Sequence, residues 1–303
     1  MLPDRWQNDW LPKIQADLAR FRLIELSELA HDELAQVLHD TLAWQIDHWR
    51  IHAHMGSIPL SAVQRLIDWY LHRFPEAPET EPHKLLQGQS NTSVENGHRL
   101  WKLSQMVTPA IAALLRPNDL DALPAPFGPA LDDHLKLMWW EVPSHLAQLV
   151  LKCFEDGVSD PYIEIDRLSA ERDAFTQIVR SKLSAVDSEK FELLLACARE
   201  NNPLTEDHAF WLDQQSSAVI HEIVAEFGRR LTQFGILDAP PDVCYLMLDE
   251  FIWWGFGLVD PIRPRVAARK VALEVHRQLT PPNYIGAAPE PAEPLHQILI
   301  YLP

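Results

Sequence analysis

The chain has 303 residues, 47% of them hydrophobic and 23% charged, with 43 acidic against 26 basic side chains and a net charge of −17. That length supplies one large core or two modest ones, and the acidity argues against nucleic acid or anionic membranes as partners, since both need clustered Lys and Arg. No apolar run approaches the roughly 20 residues of a membrane helix, and no basic-then-apolar leader is present, so the expected setting is the cytoplasm.

Cys153, Cys197 and Cys244 are far apart and odd in number, which fits buried free thiols in a reducing compartment better than a disulfide or zinc framework. The 10 glycines include no adjacent pair and no GxGxxG or GxxxxGK[ST] phrase. The chain therefore shows no phosphate-cradling loop of its own.

Apolar residues recur at helical spacing almost throughout. A first helix is expected from Trp6 to Arg22, and a second, long one begins after Ser27 or Asp32 as N-cap and runs to Met55. Pro59 and Ser61 introduce a further helix, SAVQRLIDWYLHRF, which the proline-rich PEAPETEP ends. A polar turn, QSNTSVENG, leads into a helix from Gly97 to Ala113. Arg116 to Pro129 reads as a loop, and Asp132 to Trp140 is ambiguous. Ser144 caps HLAQLVLKCFEDG, with Gly157 as terminator.

Further helices are expected over Leu168–Leu183, Ser188–Arg199 and Asp213–Phe234, the last ended by Gly235. Asp242 is expected to cap VCYLML, Leu248–Phe256 to form a separate turn, and Arg263–Leu279 to be the last helix. No period-two run of useful length appears. The fold class is mostly α, an irregular multi-helix array forming a substrate cup, with few or no strands. The helical domain is expected over residues 1–285 and a proline-rich tail or linker over 286–303.

Several clusters could carry chemistry. Glu206, Asp207, His208 and Asp213 stand beside Phe210 and Trp211, and titratable groups next to aromatic walls suit a pocket that moves a proton. After Pro203 the same acidic residues also suit helix capping. His48 and His52 share a helix face at i, i+4. Trp49 stands where a zinc motif would place Glu, so no metal site is assigned. The Trp139–Trp140 and Trp253–Trp254 pairs could clamp an aromatic ligand or fill a core. Gln87, Gly88, Asn91 and Thr92 form a polar loop. Arg229 and Arg230 could meet a phosphate or pair with acidic neighbours.

Taken together, DHWRIHAHM, LLQGQSNTSVENGHRLWKLS, VPSHLAQLVLKCFEDGVSDP, NPLTEDHAFWLDQQ and FGRRLTQFGILDAPPDVCYLMLDEF resemble the central helical region of the PEP-utilising phosphotransferases. That group contains PEP synthase-like enzymes, rifampin phosphotransferase and phenylphosphate synthase. The resemblance covers nearly the whole chain, and the tail PPNYIGAAPEPAEP resembles the family's linker.

It implies a substrate-binding subunit that receives a phosphoryl group from a partner's phosphohistidine and passes it to a hydroxyl of an aromatic or apolar small molecule. Swivel and ATP-grasp domains would lie on partner subunits with ATP and Mg, and this chain would bind no cofactor alone. None of the 14 histidines follows a Gly-Gly pair, as the family's phosphohistidine does.

On that reading Glu206, Asp207 and His208 are catalytic, and Gln87, Asn91, His48, His52, Trp211, Asp213 and Trp254 bind substrate. Arg229 and Arg230 would bind phosphate. Thr205 stands where some members carry Arg. That departure keeps open the alternative of a non-catalytic ligand-binding or regulatory module.

Overall fold

The computed structural model describes residues 2–138, 143–252 and 261–282. Among these the chain is mostly α-helical and contains no strand. The helices are α1 (Leu2–Arg5), α2 (Leu11–Arg22), α3 (His31–Arg73), α4 (Thr92–Gln105), α5 (Pro109–Leu115), α6 (Phe127–Met138) and α7 (Pro143–Glu155). They continue with α8 (Pro161–Ser181), α9 (Ala185–Asn201), α10 (Leu204–His208), α11 (Gln215–Gln233), α12 (Leu248–Ile252) and α13 (Ile262–Arg277). Two π-helical turns interrupt this series, at Trp6–Trp10 and Ala209–Gln214.

Two compact units divide the chain. The first is Met1–Leu18 with Asp47–Ala218, and the second is Ala19–Ile46 with Val219–Pro303.

The expected break before Pro59 does not occur: α3 runs through both Gly56 and Pro59. Its start is held by Glu33, whose carboxylate accepts from the Ala30 N–H at 2.7 Å. An interior proline costs a helix about 3 kcal/mol. Here Met55, Ala62 and Leu66 are buried on either side of it, and that tertiary burial outweighs the local rule. Ser57 and Ser61 donate back to the Ala53 and Ser57 carbonyls, each at 2.8 Å.

Other boundaries move towards better caps. Helix α4 begins at Thr92, not Gly97, because Asn91 Oδ1 accepts from the Val94 N–H at 3.0 Å. Helix α8 begins at Pro161, not Leu168, because Asp160 accepts from the Tyr162 N–H at 2.9 Å. Helix α9 is capped by Ser184 rather than beginning at Ser188. The ambiguous stretch around Asp132 belongs to α6. Asp242 does not cap a helix. It lies inside a 3-10 turn, Pro240–Tyr245, and its carboxylate is 2.5 Å from Lys270 Nζ. Gly235, with φ +71, ends the helical run as expected.

In the first unit, α4, α5, α6 and α7 enclose one core cluster that includes Leu103, Ile111, Leu115, Phe127, Leu146 and Val150. A second cluster joins Leu66 and Tyr70 of α3 to Leu85, Val179, Phe191 and Leu195. The LLQG phrase lies at the edge of this second cluster. Gly88 has φ +69, and a Cβ there would fall 2.7 Å from Leu168 C and 2.8 Å from Ser169 Cα. Only glycine meets both the backbone conformation and the close approach to α8. Arg172 then donates to the Gln87 and Gly88 carbonyls at 3.3 and 3.2 Å.

In the second unit, Phe227 is fully buried against Phe251, ring centroids 5.0 Å apart, and His31 meets it edge-on at 5.2 Å. Arg269 and Arg265 grip Glu250. Arg269's hydrogen bond, followed by the Met247 N–H and Arg265, holds that carboxyl down at about 2.

Candidate functional site

The residues singled out in the sequence fall into distinct places. Glu206 and Asp207 reach the start of α4. Asp207 Oδ1 accepts from both the backbone N–H and the hydroxyl of Thr92, at 2.8 and 2.7 Å. Ser93 Oγ donates to Glu206 Oε2 at 3.2 Å. The first N–H groups of a helix have no partner within it, so Asp207 acts as a tertiary cap beside Asn91, the local one. The capping reading of the acidic cluster therefore applies to a helix more than a hundred residues away.

His208 lies in a different setting. It is 3% exposed, and its Nδ1 is 2.7 Å from the Leu204 carbonyl. A carbonyl only accepts, so Nδ1 carries the proton and donates, and in the neutral ring Nε2 keeps its lone pair. Burial lowers the His208 pKa, with the neighbouring His52 adding to the effect. The Leu204 bond and the charges of Asp213 and Glu206 oppose it.

The His52 ring packs on His208 at 4.9 Å between centroids, and Trp49 packs on His52 at 4.5 Å. Asp213 Oδ1 stands 3.2 Å from His52 Nδ1. These two buried atoms are not aligned for a hydrogen bond and have no other hydrogen-bond partner among the described residues. The His52 and Asp213 side chains are 28% and 37% exposed, so the group of residues reaches solvent.

The π turn explains how the second half of this arrangement is built. It inserts at Ala209–Gln214, directly after α10, and carries both Asp213 and Trp211. A π turn shifts the angular register of the helix downstream of it and is a rare element, found frequently at functional sites. Trp211 meets Phe210 edge-on at 5.1 Å. No sequence signal marked this turn. Trp49, noticed only as a departure from a zinc motif, proves to be part of the ring stack.

The remaining candidates lie elsewhere. Gln87 donates to the Leu168 carbonyl at 3.4 Å and belongs to the loop seated on α8. His48 is buried and lines a separate cavity. Arg229 and Arg230, in the second unit, both pair with the buried Glu226, and Arg230 also donates to the Leu26 carbonyl at 2.7 Å. Trp254, like Trp139, Trp140 and Trp253, lies outside the described residues. Among the described residues no group of three or more His, Cys, Asp or Glu side chains could hold a metal ion. No helix among them is long and apolar enough to cross a membrane.

No protein-family model matches the chain. It is similar to the chondramide synthase cmdD of Chondromyces crocatus, 24% identical over 351 residues, an alignment that covers 99% of this chain and 9% of the synthase. The chain thus spans about a tenth of the length of the curated relative it matches.

Proposed function

We infer that this chain is the substrate-holding helical module of a phosphoryl-transfer system, with His208 as the proton acceptor. The observation that carries the reading is the fixed, neutral imidazole. Leu204 holds the Nδ1 proton, burial disfavours a positive charge, and the Nε2 lone pair is left to accept.

In the step, a substrate hydroxyl oxygen attacks the phosphorus of a partner's phosphohistidine and its proton passes to His208 Nε2. The N–P bond breaks and the O–P bond forms. The partner's imidazole leaves with its electron pair and regains a proton as His208 gives up the one it took. The Leu204 carbonyl and the Asp213 carboxylate would steady the transient imidazolium. Phosphoryl transfer is mostly positioning and charge stabilisation, which a helical scaffold can supply. ATP and Mg belong to the partner in this scheme.

The segments resembling the PEP-utilising family support this reading, and the placement of Asp207 on Thr92 refines it. Of the three residues that the resemblance assigns to catalysis, His208 is retained as the base and Asp207 becomes a positioning residue. Glu206 stays exposed at the α4 start.

One observation favours a second reading. Nearly all of this chain aligns with a small part of a much longer synthase. A ligand-binding or regulatory module without its own chemistry would suit such a place.

The test is phosphoryl transfer in an extract of the source cells depleted of this chain. The extract receives labelled ATP and phenol, then purified wild-type chain or His208→Gln. Acid-stable phenyl phosphate is read by phosphorus NMR. Transfer that needs the wild-type chain and falls about a hundredfold or more with His208→Gln supports the base role. Transfer indifferent to His208, or no transfer with either chain, favours the binding module.

A further inference from the structure

The cavity that His48 lines has a volume of about 430 Å³, and α1, the first π turn, α2 and the 47–54 stretch of α3 surround it. Its charge runs against that of the chain. The whole protein carries −17, yet Arg5, Lys13 and Arg50 converge here against Asp9 and Asp47 alone.

The two carboxylates are held only loosely. Arg5 Nε is 3.7 Å from Asp9, and Arg50 is 3.8 Å from Asp47. Lys13 has no ion-pair partner among the described residues. A further cationic group without a carboxylate of its own is a standing electrostatic attraction for an anion.

The cavity also has a flat, apolar side. Trp10 is half-buried, meets His54 edge-on at 6.4 Å and lies beneath the Arg5 guanidinium at 4.5 Å. Ile51 adds an aliphatic wall. His54 donates its Nδ1 proton to the Arg50 carbonyl at 2.8 Å. The volume falls in the range of small-molecule pockets and is far larger than an inorganic anion needs. The π turn Trp6–Trp10 sets Asp9 and Trp10 along this cavity, and π turns favour functional positions.

We propose that this cavity binds a small aromatic molecule bearing one anionic group. The anion is held by Lys13 with Arg5 and Arg50, and the ring lies between Trp10 and Ile51. The site shares no lining residue with the His208 group and does not depend on phosphoryl transfer.

The test is isothermal titration of the full chain with benzoate, phenyl phosphate, phenol and inorganic phosphate. Saturable binding is expected for benzoate, phenyl phosphate or both, and which of them binds more tightly identifies the anion. Phenol lacks the charge and phosphate lacks the ring, so each should bind about tenfold more weakly or less. Lys13→Met, a change at an exposed position, should weaken the aromatic anion about tenfold, and Trp10→Phe should weaken it less than Trp10→Ala. Lys190→Met should leave it unchanged, and added salt should weaken it. Absence of saturable binding by both aromatic anions, equal binding of phenol, or affinity unaltered by Lys13→Met would each overturn the proposal.

Discussion

Asp207→Ala separates the structural part of the acidic cluster from its chemistry. The substitution removes one oxygen that accepts two hydrogen bonds, from the Thr92 N–H at 2.8 Å and the Thr92 hydroxyl at 2.7 Å. A hydrogen bond to a charged group contributes roughly 1.5–3 kcal/mol, and a helix N-cap acceptor about 1 kcal/mol. Asp207 is half-buried and Asn91 continues to cap α4. A loss of about 2 kcal/mol is therefore expected. Asp207→Asn keeps the acceptor oxygen and should lose about half of that. Glu206 is exposed and accepts a single 3.2 Å bond from Ser93, so Glu206→Gln should change stability by less than about 0.5 kcal/mol. Urea unfolding followed by circular dichroism measures all three. An Asp207→Ala protein as stable as the parent, or a Glu206→Gln protein equally weakened, would refute the assignment of Asp207 as the tertiary cap.

Gly88→Ala should cost more than about 3 kcal/mol, read by the same unfolding assay, because a left-handed backbone and the α8 backbone oppose the new methyl group together. Glu250, held at about 2 against its usual 4.5, is a depressed carboxylate. Its contribution, on the order of 3 kcal/mol, should be full above pH 4.5 and disappear as pH falls from 4.5 towards 2. Glu250→Gln should flatten that part of the acid-unfolding curve. His208 has the same sign of coupling, in a higher pH window. Its folded pKa lies below the usual 6.5, so the unfolded chain binds the proton first, and stability should decline as pH drops below 6.5. His208→Gln should remove that decline, as thermal melts across pH 5–8 would show.

The mostly α architecture was legible because apolar spacing and capping residues repeat along the whole chain. Gly235 ended its helix as its type suggests. Pro59 misled because a local rule gave way to burial of Met55, Ala62 and Leu66 around it. Within the site, His52, His208 and Asp213 were each picked out for their chemistry, and the structure brings these three together. Asp207 on Thr92 could not be read, since the two are 115 positions apart and capping was sought on the nearest helix. Both π turns escaped notice because an inserted residue in a helix leaves no compositional mark. The cavity at Lys13 and Arg50 was missed for a related reason: its charge reversal exists only after α2 and α3 are placed side by side.

The account turns on a neutral His208 that donates from Nδ1 and accepts at Nε2. Histidine-selective NMR of the labelled chain, assigned through His208→Gln and titrated from pH 5 to 8, reads both properties directly. The account predicts a His208 signal in the Nδ1–H tautomer that titrates below 6.5. A His208 that titrates at or above 6.5, or carries its neutral-state proton on Nε2, would contradict it.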